Sequence, residues 1–287
     1  MARWAVIAVI VATVQPGCAS VPLQAERDPL SAQQSTHCQD LSQAAQMAID
    51  RHDWIRACAE LQHLVDASPR SAEAHHRLAR VLLAQGRLDE AEAEAHRALE
   101  LDQEYVEAMI SVGEVENRLG RPEAALRHID EAVEIDPQRP EAHFARAQVL
   151  EALGRSEEAL AAYFRTLDLE PASAAALLRV ATLQLDRGQP DQALARLTEV
   201  LELSPDDAEA HYRRGLAHLA LHHGSQATSD LQFAAHHLPN RPDVFYHLAL
   251  AFDATHRPGE ALQAAQRAAQ LAPESASARD LTSRLRR

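Results

Sequence analysis

Sixteen histidines and three cysteines offer the most varied chemistry in this sequence. The densest group is AHLALHHG, where His218 and His222 are four apart and His223 follows directly. On a helix, residues four apart share a face, a spacing that suits two imidazoles on one metal. No carboxylate or thiol adjoins them, so histidine as a polar-aromatic filler is the favoured reading. A metal site on His218, His222 and His223 is its rival. Catalysis finds less support. There is no Gly-x-Ser-x-Gly elbow, no His-Glu-x-x-His pair and no glycine-rich phosphate loop. All 28 basic residues are arginine, which removes every lysine-dependent mechanism, Schiff bases and phosphate-loop lysines included. Paired acids such as Glu157 and Glu158 or Asp206 and Asp207 read as solvated helix starts rather than acid-base pairs. No catalytic residue and no cofactor are expected. The formal charge of −14 argues against nucleic acid, whose phosphates need a basic face.

The elements that would position these residues are set by a period. Pro69, Pro137, Pro171, Pro205, Pro239 and Pro273 are spaced by 34 residues, with Gln103 filling the one missing place. Units start at Cys38, Ala72, Val106, Pro140, Ala174, Ala208 and Pro242, and a unit this short must stack on neighbours to bury its apolar face. Within Pro140 to Ser173, His143, Ala147 and Leu150, then Ala159, Tyr163 and Leu167, recur at helical steps on either side of Gly154. Gly86, Gly120, Gly154 and Gly188 hold the same place in four units, where a left-handed residue ends a first helix; the later proline ends the second. His75, His143 and His211 lie two units apart each time and cannot share a metal. In such a hairpin Cys38 and Cys58 are offset by roughly 10 Å along the axis, so two separate thiols are expected rather than a disulfide.

These units resemble tetratricopeptide repeats. The small eighth residue (Ala79, Gly113, Ala147, Ala181, Gly215, Ala249) and the alanine at place twenty (Ala57, Ala91, Ala125, Ala159, Ala193, Ala227, Ala261) carry the likeness. The departures are histidine at place four in alternate units and His52, His222 and His256 at the turn-glycine place. The resemblance implies an all-α, right-handed solenoid of seven hairpins over residues 38–275, with a capping helix at 276–287. It also implies a concave groove lined by places two, five, six, nine and twelve. Those places put Phe144, Leu178, Tyr212 and Tyr246 in a ladder beside Arg179, Arg213, Leu216 and Leu250, an apolar-aromatic half suited to a protein or peptide partner. In the earlier units Glu114 and Glu151 join Glu73, Glu107 and Glu141, with Arg77, Arg80 and Arg118 among them, to make a mostly acidic half. The lysine-and-asparagine clamp that some relatives use on chaperone tails is absent, which argues against that client class.

Residues 1–37 lack the period. Arg3 precedes the apolar run Trp4 to Val14, which suits a signal-peptide core and is too short to span a bilayer. Gly17-Cys18 resembles the end of a bacterial lipoprotein signal, although Gln15 and Pro16 depart from it. The resulting expectations are a signal peptide at 1–17, a lipid anchor on Cys18, a flexible tether at 18–37 and outer-membrane placement facing the periplasm. Simple cleavage to a soluble periplasmic protein and an uncleaved cytoplasmic scaffold are the alternatives. The resemblance to envelope lipoproteins implies roles in envelope assembly, secretion or pilus biogenesis.

Overall fold

Helix-favouring composition with punctuation at fixed places yields a line of hairpins. The computed structural model describes residues 29–286, which form fifteen α-helices. The first three hairpins are α1 (Pro29–Asp50) with α2 (Trp54–Ala67), α3 (Ala72–Ala84) with α4 (Leu88–Leu101), and α5 (Val106–Arg118) with α6 (Pro122–Ile135). The next two are α7 (Pro140–Ala152) with α8 (Ser156–Leu169) and α9 (Ala174–Asp186) with α10 (Pro190–Leu203). The last two are α11 (Ala208–Ala220) with α12 (Gly224–His237) and α13 (Pro242–Ala254) with α14 (Pro258–Leu271), followed by α15 (Ala276–Leu285) as the cap. Each helix packs on the next, and first helices also touch the first helix of the following unit, α3 on α5, α5 on α7, α9 on α11 and α11 on α13. That extra row of contacts places the first helices on the tighter, inner side of the solenoid. No described helix is long and apolar enough to cross a membrane.

The beginning departs from expectation. Helix α1 starts at Pro29, not Cys38, so residues 29–37 are not tether. Proline is favoured at a first helical position, and the following LSAQQSTH contains neither glycine nor proline to interrupt the helix. The signal-peptide expectation and the lipid anchor on Cys18 fall outside the described residues. Cys38 and Cys58 are separate free thiols, as expected. Cys38 Sγ lies 3.2 Å from Ser68 Oγ, and Cys58 Sγ accepts from Arg87 at 3.4 Å.

Two close approaches define every hairpin. All seven alanines at place twenty are fully buried, and where place eight is glycine it faces place twenty-four of the partner helix. A Cβ added at Gly113 would sit 2.4 Å from Ile129 Cγ1, and one at Gly215 would sit 2.6 Å from Leu231 Cγ. The turns obey a different demand. Gly86, Gly120, Gly154 and Gly188 have φ between 68° and 75°, and His52, His222 and His256 take φ of 56°, 60° and 57° at the equivalent place. The amide after each of these residues reaches back to the last turn of the first helix, as Arg155 does to the Leu150 carbonyl at 2.8 Å and His223 to His218 at 2.8 Å. A Cβ in this conformation crowds the following carbonyl, so the three histidines are held there against their preference.

Histidine at place four also has a structural task. Nε2 of His75, His143 and His211 donates to the carbonyls of Pro69, Pro137 and Pro205 at 3.2, 3.0 and 3.0 Å, tying each first helix to the preceding turn. In the seventh unit, where Phe245 stands at that place, Arg267 donates to the Pro239 carbonyl instead.

Three substitutions separate backbone from packing costs. Gly154→Ala places its Cβ in open space at φ +71° and should lose roughly 1 kcal/mol through conformation alone. Gly113→Ala, which meets Ile129, should lose about 1–3 kcal/mol through overpacking. His222→Gly should gain up to about 1 kcal/mol. Urea unfolding followed by circular dichroism measures all three, and a lowered midpoint for His222→Gly contradicts the account.

Candidate functional site

The inner face is built by residues that first helices turn away from their own second helices. Cavities open along it from the first unit to the fifth. The largest, about 820 Å³, lies between units one and two and is lined by Gln39, Ser42, Gln46, Glu73 and Arg77. A second of about 460 Å³ is bordered by Leu83, Asn117, Gln148 and Phe144, and a third of about 310 Å³ by His76, Arg80, Glu107 and Glu141. Glu114 borders the second and third and also a smaller hollow against Phe144 and Glu170. In units one to five, places two, five, six, nine and twelve therefore contribute to this face.

Charge in the acidic half is only partly neutralised. Arg77 donates to Ser42 Oγ and to its carbonyl, bridging units one and two. Arg139 pairs with Glu107 at 2.8 Å. Arg80 is exposed and has no hydrogen-bonded partner among the described residues, and Arg118 donates only to the Leu83 carbonyl at 2.9 Å. Glu114 lies within the field of both arginines without a hydrogen bond to either, and burial pushes its carboxyl above the usual range. Beside it, Asn117 Oδ1 is buried with no hydrogen-bond partner. Burial and the nearby arginines press His76 down to about 4, so it is neutral at physiological pH, with Nδ1 3.1 Å from Ser111 Oγ.

Glu151 behaves differently from Glu114. It accepts from Tyr163 Oη and from Arg179, both at 2.5 Å, which fixes Arg179 across the unit four to unit five junction. Burial and this carboxylate push the Tyr163 hydroxyl up, and the ring supports Phe144 edge to face at 5.4 Å. Phe144 is thus a positioned, half-buried aromatic at the centre of the cavities.

The second half is more closed than its sequence suggests. Tyr212 is 4% exposed and belongs to the core, so it is not an exposed rung of a ladder. The guanidinium of Arg241, from the next unit, lies over its ring at 4.8 Å, and its hydroxyl is 3.2 Å from His247 Nδ1. Arg241 is itself paired with Glu209 and Asp243, and Arg213 donates to Glu209 at 2.7 Å. Leu178, Leu216, Tyr246 and Leu250 are half-buried and pack against the hydrophobic core. The unit-six histidines come together only in part. His218 and His223 approach at 3.4 Å between Nδ1 atoms, while His222 lies exposed at the left-handed turn position. The nearest carboxylate, Asp230, is 3.9 Å from His218 and is already held by Arg214 and His211 at 2.8 Å. A cation at that place would meet the Arg214 charge. Asn117 and His76 are among the groove residues that the sequence did not single out, although places twelve and five already mark them.

Comparisons with known proteins agree with this geometry. Tetratricopeptide repeat models match residues 43–106, 76–140 and 113–176, and a TPR repeat model matches 183–221. No curated protein matches the sequence. Among solved structures, YrrB, described as a TPR protein with an unusual peptide-binding site, is 21% identical with a TM-score of 0.58; the match covers 66% of this chain and 97% of YrrB. PilF of Pseudomonas aeruginosa is 16% identical with a TM-score of 0.69, over 74% of this chain and 97% of PilF. A tetratricopeptide repeat protein from Parabacteroides merdae is 17% identical with a TM-score of 0.56, over 88% of this chain and all of its own. At these identities the structural likeness speaks for the fold alone, and the fold is one that generally serves as a non-catalytic scaffold for protein interaction. With the repeat register, the hairpin geometry and the model matches in agreement, the chain belongs to the tetratricopeptide repeat family.

Proposed function

We propose that this chain is a scaffold that holds an extended or helical segment of a protein partner along its concave face, seated in units two to five. The observation that carries this reading is the convergence of cavities on Glu114 and Phe144, where a carboxylate, the Arg80 guanidinium and the Asn117 oxygen lack hydrogen-bonded partners. Unmet polar groups around a fixed aromatic are what a partner's backbone and side chains can satisfy, and a groove formed by helices suits such segments. The peptide-binding site in the description of YrrB supports the same use of the fold. The arginine-capped Tyr212 region is self-satisfied and serves as the frame of this seat.

The proposed place of work is the bacterial envelope. Arg3, the apolar run from Trp4 to Val14 and Gly17-Cys18 support export with a lipid on Cys18, which would hold the array at the outer membrane facing the periplasm.

Two outcomes follow. Partners captured by the wild-type chain should be lost by Phe144→Ala and by Glu114→Arg, with helicity by circular dichroism unchanged; recovery of the same partners by both variants rejects the seat. Mass analysis of the mature N-terminus should find an acylated Cys18, and an unmodified cysteine there leaves a free periplasmic adaptor.

A further inference from the structure

On the side of the solenoid away from the groove, side chains that transition metals favour converge where the second unit meets the third. Glu92 and His96 lie one turn apart on α4, Glu116 on α5 and His128 on α6. One donor atom each from Glu92, His96 and Glu116 lies within 4.8 Å of the others, and among the described residues this is the one such trio of histidine, cysteine and acid groups. Glu116 and Glu114 are two residues apart and so point about 200° apart around α5, which separates this cluster from the cavities.

Ordinary pairing accounts for part of the arrangement. His128 Nδ1 lies 2.9 Å from Glu116 Oε2, and Arg121 donates to Glu92 Oε1 at 2.7 Å. It does not account for His96. Its Nε2 stays 3.9 Å from Glu92 Oε1 without a hydrogen bond, and its ring meets His128 edge to face at 6.1 Å. Glu116 is buried while Glu92 and His96 are partly exposed, so the cluster has a shielded floor and an open mouth. The floor is already oriented, because a ligating carboxylate works best when a second group holds it.

We propose that Glu92, His96 and Glu116 form a divalent transition-metal site, with His128 as the positioning residue for Glu116 and water completing the shell. One imidazole and two carboxylates suit zinc or a related borderline ion, whereas calcium would need six to eight oxygens. Tetrahedral ligand atoms on bonds of ~2.0 Å stand about 3.3 Å apart, so small side-chain rotations close the trio. Arg121 supplies the positive charge to Glu92 Oε1 in the metal-free protein and opposes the entry of a cation. A bound ion would join α4 of one unit to α5 of the next, the helix that also carries Glu114.

Zinc titration of the whole chain against a competing chelator tests this, since the chelator suppresses scattered weak binding to the other histidines. One equivalent should bind; His96→Ala and Glu116→Gln should each weaken it by at least about tenfold, and His128→Ala by about tenfold or more with one equivalent retained. The exposed Arg121→Gln should tighten binding, an outcome that a purely structural cluster would not give. His96 and Arg121 lie near the surface, so their variants decide the matter even if Glu116→Gln fails to fold. Absence of zinc binding by the wild-type chain overturns the proposal. So does binding that survives His96→Ala and is lost in the His218→Ala, His223→Ala double variant.

Discussion

Everything in this solenoid depends on how closely two helices can approach within one hairpin. The fully buried alanine at place twenty and the small residue at place eight remove the side-chain bulk that would otherwise keep them apart. Where place eight is glycine, Ile129 or Leu231 fills the space a methyl group would need. Close packing of this kind loses contacts with any change of volume, so the hairpin angle is fixed by a few small residues. Repeated down the chain, that angle decides which side of each first helix remains uncovered.

The uncovered side is not uniform. In units six and seven, arginines and acids close over Tyr212 and satisfy one another, leaving little for a partner to complete. In units two to four the same places hold groups left over from such pairing, Arg80, Glu114 and Asn117 among them. Glu151 and Glu114 illustrate the difference. Both are groove glutamates, yet one is locked by Tyr163 and Arg179 and the other borders the cavities without a hydrogen-bonded partner, its charge disfavoured by burial.

Much of this was legible in the residues. The proline period, the turn glycines and the alanine columns are local signals that repeat, so they report the hairpins, their register and the groove places directly. The start of α1 was hidden because its first turns lie before the first unit and carry no period to count from. The burial of Tyr212 was hidden for another reason, since the group that covers it, Arg241, belongs to the following unit. The approach of Glu92 and His96 to Glu116 likewise depends on contact between units, which no run of adjacent residues displays.

The turn residues carry one more consequence. Glycine occupies the left-handed position in units two to five, and histidine is forced into it in units one, six and seven. In a one-dimensional array each unit is held only by its neighbours, and the outermost have fewest. Conformational strain therefore falls in both end units and in unit six beside one of them, so fraying is expected to begin at the ends while the units that carry Glu114 and Phe144 stay folded longest. A partner seated there would find its platform intact through fluctuations that loosen both ends.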